Sequence, residues 1–89
     1  MERILANPSP LEFPCTFPVK AIGKDTGEFQ AIVTDIIRRH VPELTGITTR
    51  PSAGGKYLAV TATFVATSRE QLDALYRELS SNELVVMLL

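Results

Sequence analysis

Apolar residues recur along this chain with two different periods, and the switches between them mark out the elements. From Cys15 to Gly23, Phe17, Val19 and Ala21 alternate with Pro18, Lys20 and Ile22, the two-residue period of a strand. Pro18 has no main-chain donor, so this strand is predicted to begin after it or to bulge there. Residues 25–40 change to the helical period, with Phe29, Ile32, Val33, Ile36, Ile37 and His40 on one stripe. Asp25 and Glu28 have the spacing of a capping box at its start. Arg38, Arg39 and His40 suit its C-terminal dipole, and Pro42 stops it. Residues 46–52 and 56–66 again read as strands, the second alternating Leu58, Val60, Ala62 and Phe64 with Tyr57, Ala59, Thr61 and Thr63. Gly54-Gly55 between them is predicted to form a type I′ hairpin turn, which needs positive φ at both central residues. That turn sets Thr49 opposite Val60 and Ile47 opposite Ala62 on one face, with Arg50 opposite Ala59 and Thr48 opposite Thr61 on the other. A slip of one residue would scramble both faces. Ser68 with Gln71, or Thr67 with Glu70, opens a second helix whose stripe is Leu72, Leu75, Tyr76 and Leu79. A last strand is expected from about Glu83 to Leu89.

The order β-α-β-β-α-β is the split βαβ, or ferredoxin-like, pattern. It predicts an α+β two-layer sandwich: a four-stranded antiparallel sheet in the order 4-1-3-2, with both helices on one face. The second strand then lies at an edge, where Pro51 is tolerated. Pro8, Pro10 and Pro14 exclude a helix or central strand at the start. Residues 1–14 are therefore expected to form an extended arm, and residues 15–89 one domain.

Composition narrows the function classes. The chain has 89 residues, 45% of them hydrophobic and 21% charged, with a formal net charge of −1. That balance is ordinary for a globular domain and argues against a nucleic-acid partner, which calls for a clearly basic surface. The longest apolar run, LVVMLL, is far short of the roughly 20 residues that span a bilayer, and the first residues do not read as a secretion signal. No membrane partner is expected. A lone cysteine, Cys15, rules out an internal disulfide and suits a reducing compartment, the cytoplasm.

The motifs that could carry chemistry are weak. In PSAGGKYLAV, Gly55-Lys56 is followed by Tyr57, and the first glycine of a phosphate loop would fall on Arg50. The phosphate-loop pattern is therefore not met. A ferredoxin-like RNA reader stacks bases on aromatics of its third strand. Here Tyr57 is followed two positions on by Ala59, so stacking is not supported. His40 reads as a helix-end residue rather than a metal ligand. No metal site, cofactor or catalytic set is expected, and an enzyme would have to assemble one from Cys15, Lys20, Lys56 and Tyr57. Two stretches remain as candidate sites. The loop holding Gly23, Lys24, Asp25 and Gly27 precedes a helix N-terminus, where an anionic group is favoured, although its glycines also serve simply to shape a turn. The open sheet face gathers Lys20, Thr48, Arg50, Tyr57, Thr61 and Thr63, which a merely solvated face would also explain.

The stretches LEFPCTFPVKAIG, RRHVPEL, RPSAGGKYLAVTATFVATSREQLDALYREL and VVMLL resemble the YbeD-like family of small bacterial proteins. The matching features are Phe13-Pro14, Lys20 with Gly23, Pro51-Ser52, and Ala66-Thr67-Ser68 with Glu70-Gln71. Ala53 and Ala59 stand where that family often carries serine. The resemblance implies a ferredoxin-like fold similar to ACT domains, which pair up and bind amino acids, and an association with lipoate metabolism. The function expected from these readings is a non-enzymatic regulatory or small-ligand-binding module, a homodimer, with Gly23 to Gly27 as the ligand loop. The alternative is a protein-interaction adaptor that works through the open sheet face or an edge strand.

Overall fold

The computed structural model describes residues 12–44 and 46–89. Six elements follow in the predicted order: β1 (Cys15–Lys24), α1 (Glu28–His40), β2 (Gly46–Pro51), β3 (Tyr57–Ala66), α2 (Arg69–Ser81) and β4 (Val85–Leu88). The strands form one antiparallel sheet in the order β2-β3-β1-β4, which is the predicted 4-1-3-2 read from the other edge. Most of the predicted arm, residues 1–11, lies outside the described residues; Glu12–Pro14 lead into β1.

The core follows from the two periods. Val19 and Ala21 of β1 and Leu58, Val60, Ala62, Phe64 and Ala66 of β3 point to one side and are buried. Against them lie Phe29, Val33, Ile36 and Ile37 of α1 and Leu72, Leu75 and Leu79 of α2. Both helices therefore cover the same face of the sheet, and no polar or charged side chain among the described residues is buried.

Pro18 sits inside β1, in register opposite Thr63, so the strand neither starts after it nor bulges there. Lys20 exchanges both main-chain hydrogen bonds with Leu89, at 3.2 and 2.8 Å. Main-chain groups two residues apart face the same way, so the donor that Pro18 lacks would point toward β4, beyond the Lys20–Leu89 pair. It is not needed by β3.

The β2-β3 register matches the predicted one: Thr49 faces Val60 and Ile47 faces Ala62. The turn differs. Only Gly55 has positive φ, at 73°, so it is not type I′. Instead Gly55 N–H donates to the Ser52 carbonyl at 2.9 Å, and Ser52 Oγ accepts from Tyr57 N–H at 3.1 Å. Ser52 N–H also donates to the Tyr57 carbonyl at 2.8 Å, so the ladder closes at Ser52–Tyr57 and Ala53–Lys56 form a four-residue loop. Pro51, which has no N–H, then falls in a pair that needs no hydrogen bond from it.

The start of α1 also differs. Asp25 N–H donates to the Lys56 carbonyl at 3.0 Å, so Asp25 prolongs β1 and does not cap the helix. Gly27, with φ 76°, is the N-cap residue, and Thr26 Oγ1 accepts from Phe29 N–H at 3.3 Å. At α2 the Ser68–Gln71 choice is the one formed. Ser68 Oγ accepts from Gln71 N–H at 3.1 Å, and Gln71 Oε1 accepts from Thr67 N–H at 2.8 Å. Ser68→Ala should cost about 1 kcal/mol, read as a Tm lower by about 4–8 °C in thermal unfolding. An unchanged Tm would mean that this cap contributes nothing.

His40 joins the two helices. Its Nε2 lies 2.7 Å from Glu78 Oε1, and its carbonyl accepts from Gln71 Nε2 at 2.9 Å. Arg39 reaches the other Glu78 oxygen at 2.8 Å. The hydrogen bond with His40, aided by the charge of Arg39, holds the Glu78 carboxyl below its ordinary pKa. A carboxylate depressed in the folded state contributes stability above its unfolded pKa, and that contribution disappears as pH falls through the folded value. Glu78→Gln should therefore be less stable than the parent near neutral pH. The two urea midpoints should converge in acid, below about pH 4. A constant gap across that range would show that the carboxylate charge is not responsible.

Candidate functional site

Antiparallel pairing turns the strand alternation into rows across the uncovered face. One row is Arg50 on β2, Ala59 on β3, Ile22 on β1 and Met87 on β4. The next is Thr48, Thr61, Lys20 and Leu89. Beyond it Thr63 lies between Gly46 and Pro18, and on the other side of the first row Lys24 faces Tyr57. All six residues predicted for this face, Lys20, Thr48, Arg50, Tyr57, Thr61 and Thr63, therefore share it.

Those six are joined by Ile22, Met87 and Leu89. Met87 is 51% exposed and Leu89 60%, although burial would normally be worth about 1.5–3 kcal/mol for side chains of this size. β4 is apolar at every position, so its period assigns neither face. Its register also shifts by one between Ile22 and Gly23, a bulge that leaves Val86 as the extra residue. The signal that would have found Met87 and Leu89 is the β1-β4 register, which the sequence alone does not supply.

The four strands contain Lys20, Lys24 and Arg50 but no aspartate or glutamate. With Lys56 in the hairpin loop, these are four of the chain's nine Lys and Arg, and the rest of the chain holds five against ten carboxylates. A chain of net charge −1 thus carries a cationic sheet face. The Lys56 ammonium lies 5.5 Å from the centre of the Tyr57 ring, within cation–π range. An open cleft of about 450 Å³ runs between Ile22, Arg50, Ser52, Tyr57 and Ala59.

The loop residues Gly23, Lys24, Asp25 and Gly27 are not gathered around one cavity. Gly23 is buried inside β1. A Cβ built there would lie 2.5 Å from the Leu84 carbonyl oxygen and closer still to the Phe29 ring. Lys24 borders a cleft of about 220 Å³ with Glu83 and Val86, whereas Gly27 borders a different one on the exposed side of α1. Asp25 is tied through its main chain to Lys56. The Thr26 hydroxyl already accepts the Phe29 N–H at the helix start.

The fold and its uncovered face define a small α+β domain of the ferredoxin-like class. The chain belongs to the family described as Protein of unknown function (DUF493), which matches residues 8–89. It is 44% identical over 80 residues to a UPF0250 protein of Chromobacterium violaceum, covering 88% of this chain and 90% of that one. A UPF0250 protein of Neisseria meningitidis is 46% identical over 81 residues, with 89% of each chain covered. One from Bordetella pertussis is 41% identical over the whole of both chains. The resemblance to the YbeD-like family agrees with these matches. Among solved structures, protein HP0495 from H. pylori superposes with a TM-score of 0.72 at 10% identity, over 100% of this chain and 96% of that one. The C-terminal domain of the MgtC protein from Mycobacterium tuberculosis gives 0.68 at 24% identity, over 83% and 82%. Both share the fold. Among the described residues no helix is long and apolar enough to cross a membrane.

Proposed function

We propose that this chain is a non-catalytic protein-interaction module whose working surface is the open sheet face. The observation that carries this is the strip Ala59–Ile22–Met87, bordered by Leu89, in which Ala59 and Ile22 are half-buried and Met87 and Leu89 are exposed, on a sheet that its own helices cover on the other side only. Exposed apolar side chains rimmed by polar residues are characteristic of association surfaces. The ligand-binding regulatory alternative has less support, because close packing against Phe29 and Leu84 accounts for Gly23 and the other loop residues line separate clefts.

A second copy stacked face to face would bring Lys20, Lys24 and Arg50 against the same three cations, which is unfavourable. Pairing through the β4 edge is opposed by the shortness of that strand and by its bulge, two devices that blunt edges. A homodimer is thus the weaker form of the proposal. A partner drawn from lipoate metabolism would satisfy it as well as any other protein.

A photo-crosslinking residue placed at position 22 should give a discrete protein adduct in a bacterial host, and the same residue at exposed position 73 on α2 should not. Equal labelling from both positions, or none from position 22, would overturn the assignment of this face.

A further inference from the structure

The charge pattern identifies what such a partner presents. We infer that the open face receives an acidic amphipathic helix, laid across the strands with its apolar stripe on Ala59, Ile22 and Met87 and its carboxylates against Lys20, Lys24 and Arg50. This rests on the interaction role proposed above and specifies the chemistry of the partner.

The geometry comes from the pleat. Lys20 and Lys24 lie two residues to either side of Ile22 on the same face of β1, roughly 7 Å away along the strand. Arg50 stands at the β2 end of the Arg50–Ala59–Ile22–Met87 row. Cations therefore border the apolar strip on both long sides and at one end. A helix is about 10–12 Å across, so one lying along the row would set the two flanks of its apolar stripe beside Lys20 and Lys24. Four strands at about 4.8 Å spacing span a row of roughly 14 Å, the length of about ten helical residues at 1.5 Å each. Glutamates flanking a leucine stripe complement Lys20, Lys24 and Arg50. The strands carry no aspartate or glutamate to oppose them, and the acidic side chain bordering the same cleft as Lys24 is Glu83, just before β4.

Other occupants fit less well. The helices of a second copy have their apolar stripes buried in their own core. Single-stranded RNA would be drawn by the cations but needs aromatic platforms. The central positions of this face are Ala59 and Ile22, and the one aromatic ring, Tyr57, has Lys56 against it.

The test uses the whole chain, labelled with nitrogen-15, and three probes. Two are synthetic 14-residue helical peptides with the same leucine stripe, flanked either by glutamate or by lysine. The third is a uridine oligonucleotide. The glutamate peptide is expected to shift the amide signals of Lys20, Ile22, Arg50, Ala59 and Met87, and to bind more weakly as salt rises from about 50 to about 500 mM. The variant K20E/K24E alters exposed side chains only, and its own amide spectrum reports that it is folded. It should bind the glutamate peptide at least about tenfold more weakly and gain affinity for the lysine peptide, because two attractions become repulsions. If the lysine peptide binds the unaltered face as well as the glutamate peptide does, the inference is overturned while the interaction role stands. Shifts from the oligonucleotide alone, glutamate-peptide shifts confined to the helices, or no binding by either peptide would each overturn it. The crosslink at position 22 judges the broader role independently.

Discussion

Gly23→Ala is expected to destabilise the domain by about 3 kcal/mol, the upper part of the range for overpacking a close-fitting core. For a chain of this size that is a fall in Tm on the order of 15 °C. The cause is space rather than backbone strain, since Gly23 is not among the glycines with positive φ. The added methyl would lie 2.5 Å from the Leu84 carbonyl oxygen and would overlap the edge of the Phe29 ring. Phe29 is fully buried at the first turn of α1, so its ring has little room to retreat. The Leu84 carbonyl belongs to the lead-in of β4, so moving it moves that strand. In a Phe29→Leu background the alanine penalty should shrink but persist, because the main-chain oxygen remains. If Gly23→Ala melts within about 2 °C of the parent, packing does not explain this glycine, and the ligand-loop alternative regains its footing.

Gly23 also illustrates what the sequence could and could not reveal. Its place on a strand, and the Gly23–Gly27 segment as a turn into a helix, follow from the local pattern. That its missing side chain makes room for Phe29 and Leu84 does not, because Leu84 is distant in sequence and the β1-β4 pairing brings it near. The same limit explains the start of α1. The Asp25–Glu28 spacing is a sound local signal, yet Asp25 is held by Lys56, a residue on the hairpin loop. The β2-β3 register was legible because alternation on two strands and a glycine turn all require one alignment. The turn type was not, since the ladder closes at Ser52–Tyr57, outside the double glycine, and the glycines alone do not show where the last hydrogen-bonded pair falls. On the open face, Lys20, Arg50 and the threonines were legible as the polar half of an alternation. Met87 and Leu89 were hidden because an all-apolar strand carries no facial signal, and Ile22, legible as outward-facing, gained meaning only beside them. The segregation of charge was hidden for a related reason. A net charge of −1 averages a carboxylate-free sheet with helices and loops that hold the acids.

Leu75→Ala is the second large effect expected, and it ties the core to the open face. Leu75 is the central member of the α2 stripe, fully buried between Leu72 and Leu79. Truncating a buried leucine costs about 2–5 kcal/mol, more where the site cannot collapse. Here Leu72 and Leu79 are fixed a turn away on the same helix and are themselves buried, so neither is free to swing into the space. A loss of about 4 kcal/mol is therefore expected, against a total on the order of 4–13 kcal/mol for a domain of this length. The fall in Tm should be on the order of 20 °C. Asp73→Ala on the exposed side of the same helix should stay within about 0.5 kcal/mol of the parent. The effect should reach β4, because α2 packs on that strand and the Tyr76 hydroxyl donates to the Leu89 carbonyl at 3.3 Å. Burial raises the Tyr76 pKa, so the hydroxyl keeps its proton and remains a donor. The same Leu89 carbonyl accepts the Lys20 N–H across the sheet. Hydrogen exchange at Lys20 and Leu89 should accelerate in Leu75→Ala together with the core of β3, since one cooperative unit opens. In Tyr76→Phe the acceleration should be confined to Lys20 and Leu89. If Leu75→Ala leaves those two amides protected while β3 exchanges, β4 is held independently of α2, and the Met87–Leu89 end of the open face does not depend on the helix layer behind it.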